Sequence, residues 1–135
     1  MLAELRAQMP DAVFTGVLSR AEVALAFASA DLFVFPSRTD TAGNVVLEAH
    51  ASGVPVAVTD AGGPKENMVP GVTGIVRGDE DPVRWGHAIA EMLRGGRLER
   101  MGETARAYAL TRQWECALRP LYRAYLDVGA LKAAA

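Results

Sequence analysis

Apolar and polar residues fall in blocks along the chain, and the period of each block predicts an element. In Leu2–Gln8, Leu2 and Leu5, with Met9 just beyond, recur near one helical face, and Pro10 with Asp11 stops that helix. Ala12–Thr15 is a short apolar run read as a strand, ended or bent by Gly16. Ser19-Arg20-Ala21-Glu22 has the spacing of a capping box, where hydroxyl and carboxylate satisfy each other's free amides. It opens a helix to about Ala30, with Val23, Phe27 and Ala30 as the core stripe. Leu32–Phe35 is continuously apolar, which suits a strand buried on both faces, and Pro36 ends it.

The blocks continue in the same rhythm. Ser37–Ala42 is a polar loop, and Gly43 or Asn44 opens a helix through about Ser52, with Gly53 where a left-handed C-terminal glycine belongs. Pro55–Thr59 is a second buried strand, Asp60–Pro64 a loop, Lys65–Met68 one helical turn, and Gly74–Arg77 another strand. Asp81-Pro82 is an N-cap followed by a first-turn proline, opening a helix to about Arg94 that Gly95-Gly96 ends. Two helices follow, near Leu98–Arg112 and Trp114–Val128. Strands alternating with helices predict an α/β fold: a Rossmann-like, doubly wound parallel sheet with helices on both faces. Ligands of such sheets bind at the strand carboxyl ends, so Gly16–Ser19, Pro36–Gly43 and Asp60–Pro64 should build one site.

Composition narrows the class. The 135 residues carry 14 Lys+Arg against 16 Asp+Glu, a net charge of −2, and half are apolar. Near-neutral charge argues against nucleic acid as a partner and against a polybasic membrane patch. No apolar run approaches the roughly 20 residues of a membrane span. Glu4 and Arg6 stand where a signal peptide needs an apolar core. The lone Cys116 cannot form an internal disulfide and fits a reducing cytoplasm. Arg far outnumbers Lys, present only as Lys65 and Lys132, and with frequent Ala this suggests a GC-rich bacterial genome. Residues 1–128 read as one domain and 129–135 as a frayed, helix-prone tail.

The chemistry concentrates in the helix after Gly43. Val45, Val46, Leu47, Ala49 and Ala51 surround Glu48, which predicts a helix buried all round and a buried carboxylate. Such a carboxylate needs a partner, either a structural arginine or a ligand. Asp40 lies in the loop that launches the helix, and is either a ligand acid or an ordinary capping aspartate. Gly43 lets the backbone approach closely, and the free amides of the helix start favour a phosphate. Two carboxylates suit vicinal hydroxyls, so the arrangement describes a nucleotide sugar. Gly62 and Gly63 are either a plain turn or a backbone approach to the same ligand, and Lys65 and Glu66 a solvated turn or part of it. His50 is read as structural or at the site edge, His87 as a surface residue, and the two hold no metal site together. Cys116 is read as a buried, unreactive helical residue. Trp114, Leu118, Leu121, Tyr122 and Tyr125 form a stripe for core packing or an interdomain face.

These residues carry a resemblance. Phe35-Pro-Ser-Arg-Thr-Asp40-Thr-Ala-Gly43-Asn-Val-Val-Leu-Glu48-Ala49, then Ser52-Gly-Val-Pro-Val, then Gly62-Gly-Pro-Lys-Glu66, resembles the donor-binding half of retaining GT-B glycosyltransferases of the family 4 type. The hallmark is two acids separated by seven residues, as Asp40 and Glu48 are. Phe14–Gly16, Ala30-Asp31, Gly71-x-Thr73-Gly74 and Trp114-Glu115 agree with the flanks. The resemblance implies the C-terminal half of a GT-B fold, truncated at its N-terminus.

Roles follow position by position. Glu48 matches the acid on the ribose hydroxyls, and Asp40 the catalytic acid near the reacting sugar carbon. Gly43, Asn44 and Val45 match backbone donors around sugar and diphosphate, and Leu18 lies near the segment that meets the base. Asp40 replaces the usual Glu, a variant that resembles sulfoquinovosyl and mannosyl transferases of lipid synthesis. The Arg and Lys that clamp the diphosphate in the family precede the first residues here; Arg38 is the nearest basic candidate by loop position. No metal or other cofactor is expected, the substrate being a UDP-, GDP- or ADP-linked sugar. The expected partners are an N-terminal acceptor domain, or self-association through an exposed interdomain face. The expected location is the cytoplasm, with an acceptor lipid at the inner membrane face for the full enzyme. This chain alone is expected to show little or no transfer. The alternatives are a non-catalytic nucleotide-sugar-binding module or relic, and a nucleotide-sugar epimerase of GT-B-like shape.

Overall fold

The structure, a computed structural model, describes residues 1–133; the last two residues of the expected tail lie outside them. The elements in order are α1 (Leu2–Gln8), α2 (Arg20–Ala28), β1 (Phe33–Phe35), α3 (Asn44–Ala51), β2 (Val56–Thr59), a short 3-10 turn (Pro64–Asn67), β3 (Gly74–Arg77), α4 (Pro82–Met92), α5 (Arg97–Thr111) and α6 (Trp114–Ala133). The three strands form one parallel sheet in the order β1-β2-β3, with Phe33 opposite Val56 and Val56 opposite Gly74.

Register sorts the side chains onto two faces. Phe33, Phe35, Val56, Val58 and Val76 share one face and form the core with Val23 and Phe27 of α2 and Val46 and Ala49 of α3. Phe27 meets Phe33 edge-on with ring centroids 5.1 Å apart, an arrangement the ring quadrupoles favour. On the other face Val34, Thr59, Ile75 and Arg77 look toward Trp85, Ile89 and Met92 of α4. β2 is fully buried, as the apolar run Val56–Val58 requires, and the Thr59 hydroxyl that ends it is hydrogen-bonded.

Local signals act where expected. The Ser19–Glu22 capping box is closed by both of its bonds. Asp81 accepts the Val83 amide at 2.9 Å, with Pro82 in the first turn. Gly53 takes φ +77° after α3.

Other expectations are corrected. Ala12–Thr15 is not a strand: β1 pairs only with β2 among the described residues, so the segment has no neighbour to satisfy its backbone, and Val13 is exposed. α6 runs past Val128 to Ala133 and contains Pro120. Its stripe of Trp114, Leu118, Leu121, Tyr122 and Tyr125 is exposed, so it packs no core among the described residues. No helix among the described residues is long and apolar enough to cross a membrane.

Candidate functional site

The site begins with two loops sewn together at the strand carboxyl ends. The Thr59 hydroxyl donates to Ser37 O at 2.6 Å, the Gly63 amide to Asp40 O at 2.9 Å, and Asn67 Nδ2 to Ala42 O at 2.6 Å. Gly43 has φ +63°, and a Cβ there would fall 2.5 Å from Pro64 Cα. A Cβ on Gly62 would fall 2.5 Å from Asp40 O, and one on Gly63 would strike the Thr41 carbonyl. The Gly62-Gly63 pair therefore packs backbone on backbone against the loop that launches α3, and the Gly63 amide is already taken.

Asp40 is half-buried in that loop. Its Oδ1 accepts the Gly43 amide at 2.6 Å and the Ala42 amide at 3.0 Å, an aspartate turn that holds the start of α3. Oδ2 takes no hydrogen bond among the described residues. The next two amides, Asn44 and Val45, also have no partner there, and Val46 returns to Gly43 O. Two unpaired N–H groups at the positive end of a helix form a local anion-attracting pole.

Glu48 corrects the sequence reading most. It is exposed and in no ion pair among the described residues, so it is neither a buried acid nor half of a structural salt bridge. α3 buries Val46, Ala49 and His50 and exposes Asn44, Glu48 and Ala51, one line at i, i+4 and i+7. That line borders two cavities. On one side Glu48 meets Leu18, Val23 and Phe27 around about 540 Å³. On the other, Glu48 and Asn44 meet Asn67, Arg112, Trp114 and Cys116 around about 570 Å³. Leu18 and Glu48 are thus brought together; Asp40, Gly62 and Gly63 lie in the adjoining loops.

The remaining candidates fall elsewhere. Arg38 pairs with Glu80 and lines a different cavity, against Val34 and Trp85. Lys65 donates to Asp60 O. His50 is fully buried, with Nδ1 3.0 Å from Val54 O and its ring edge-on to Tyr108. Burial holds its imidazole below the usual histidine value, so it is neutral near pH 7 and Nδ1–H donates. Cys116 is exposed, not buried, because α6 leads away from the core. Among the described residues no group of three or more His, Cys, Asp or Glu is placed to hold a metal ion. Sequence reading missed Arg112, which only the packing of α5 against α3 brings to the site.

Comparison with known proteins bears on the family and the fold. A family model described as glycosyl transferases group 1 matches residues 1–95. The chain is 41% identical to a GDP-mannose-dependent alpha-mannosyltransferase of Mycolicibacterium smegmatis, over 97% of this chain and 36% of that protein. It is 53% identical to a sulfoquinovosyl transferase of Arabidopsis thaliana, over 46% of this chain and 12% of that protein. Its fold matches sucrose-phosphate synthase from Thermosynechococcus elongatus with a TM-score of 0.82 at 23% identity, covering 96% of this chain and 34% of that one. The chain thus spans about a third of the length of the mannosyltransferase it matches.

Proposed function

Because the chain belongs to the glycosyl transferases group 1 family, we propose that it is the donor-binding part of an enzyme that passes a sugar from a nucleoside-diphosphate sugar to a hydroxyl acceptor, with retention. The observation that carries this reading is the exposed line of α3, where Glu48 stands between two cavities below two unpaired amides. In it the Glu48 carboxylate accepts both ribose hydroxyls and Leu18 flanks the base. The amides of Asn44 and Val45 take the diphosphate, so its growing charge is met at a helix start, without a metal. Asp40, anchored through Oδ1, offers Oδ2 beside the reacting sugar carbon. Gly43, Gly62 and Gly63 fix the loop that presents it.

The donor is GDP-linked in this reading, supported by relatives at 41% and 38% identity that are named for GDP-mannose. The acceptor is held by a further domain that meets the exposed stripe of α6, or that stripe pairs with a second copy. The enzyme works in the cytoplasm on an acceptor lipid at the inner membrane face.

Calorimetry with GDP, UDP and ADP tests the core of the proposal. GDP should bind, and Glu48→Gln should weaken it by roughly 10- to 100-fold, the value of a charge-assisted hydrogen-bond pair. Equal affinity in the variant would refute the placement of the ribose.

A further inference from the structure

α5 lies back along α3, and its end arrives at the start of that helix. Gly102 faces the Gly53 carbonyl, Arg106 Nη1 donates to Ala51 O at 3.2 Å, and Tyr108 meets the His50 ring. Arg112, which caps the far end of α5, therefore shares a cavity with Asn44 and Glu48. Its guanidinium sits 5.9 Å from the centroid of the Tyr108 ring and makes no ion pair among the described residues.

A cation at the end of α5 is favourable for that helix alone. Beside the positive start of α3 the same cation adds like charge to like, and the Asn44 and Val45 amides stay unpaired. Glu48 lines the same cavity but forms no ion pair with Arg112 among the described residues, so a bound anion there can bridge the guanidinium and the amides. A second polar group borders the cavity with acceptor capacity to spare. Asn67 is more than nine-tenths buried and lines the cavity; its Nδ2 is spent on Ala42 O, and its Oδ1 accepts nothing among the described residues. A phosphate ester carrying a hydroxylated sugar supplies an anion for the guanidinium and a hydroxyl for that oxygen.

We propose that Arg112 binds the diphosphate of the nucleotide, closing from α5 the anion site that the α3 amides open. The inference rests on the donor reading above and adds the basic residue which that reading lacks, since Arg38 is engaged with Glu80. Loss of a charge-assisted bond to phosphate corresponds to about tenfold in affinity or more.

The test compares GDP with GMP on the purified chain by calorimetry. Wild type should prefer GDP about tenfold or more. Arg112→Gln should remove most of that preference while leaving GMP within about twofold, and Arg112→Lys should keep part of it. Glu48→Gln should weaken GDP and GMP alike, since both carry the ribose. GDP should also slow modification of Cys116 by a thiol reagent, because that thiol borders the same cavity. A cooperative melt of Arg112→Gln shows that it folds. An unchanged GDP/GMP ratio in Arg112→Gln with a loss in Glu48→Gln overturns the role of Arg112 alone. Unchanged binding in Glu48→Gln overturns the ribose placement, and no preference for GDP, or no GDP binding at millimolar concentration, overturns the diphosphate site.

Discussion

Gly43 carries two constraints at once, and they can be separated. Its φ of +63° is left-handed, which costs an L-residue about 1–2 kcal/mol. Its missing Cβ leaves room for the Pro64 backbone, which cannot move without opening the 59–67 loop. Gly71 has φ +76° with nothing within 4 Å of a would-be Cβ. Gly71→Ala should therefore cost only the backbone term, while Gly43→Ala should cost roughly 2–5 kcal/mol once overpacking is added. Urea unfolding of the two variants checks the difference. His50 sets a second residue-level expectation. Burial lowers its folded pKa from 6.5, so the unfolded chain takes up the proton first as pH falls. The stability His50 contributes is full above about pH 6.5 and is lost as pH falls toward the folded value, by at most about 1.4 kcal/mol per unit. Melting temperatures between pH 7 and 5 should fall less steeply in His50→Met than in wild type.

At the scale of elements, what was legible in the sequence was what local chemistry decides. β1, β2 and β3 follow from apolar runs closed by Pro and Gly, and α2 and α4 from their caps. The spacing of Asp40 and Glu48 places one acid in the loop before α3 and the other on α3, but the apolar neighbours of Glu48 wrongly suggest that it is buried. Those neighbours lie on other sides of α3; the line of Asn44, Glu48 and Ala51 was present in the sequence as i, i+4, i+7 and is the side left open. The segment Ala12–Thr15 failed for a different reason. A strand exists only with a partner, and pairing is not a local property. Arg112 was out of reach for the same reason, because its place depends on how α5 packs along α3.

Taken whole, the molecule builds the proposed site from parts far apart in the chain: Leu18 ahead of α2, the line of α3, and Arg112 at the end of α5. None of these groups holds the others directly; the sheet and the α3–α5 contact do. A ligand that touches all three is therefore bound by the folded chain and not by the unfolded one, and its affinity must appear as stability. At GDP 100-fold above its dissociation constant the gain is about 2.7 kcal/mol. For a chain of this size that is roughly 8–15 °C in melting temperature. Scanning calorimetry should show this rise in wild type and a smaller one for Glu48→Gln at the same GDP concentration, equivalent to about 0.4–1.4 kcal/mol for a site weakened 10- to 100-fold. Ligand contact confined to α3 would give a different pattern. The shift would then survive Arg112→Gln intact, whereas contact across the fold makes it shrink when either end of the site is altered.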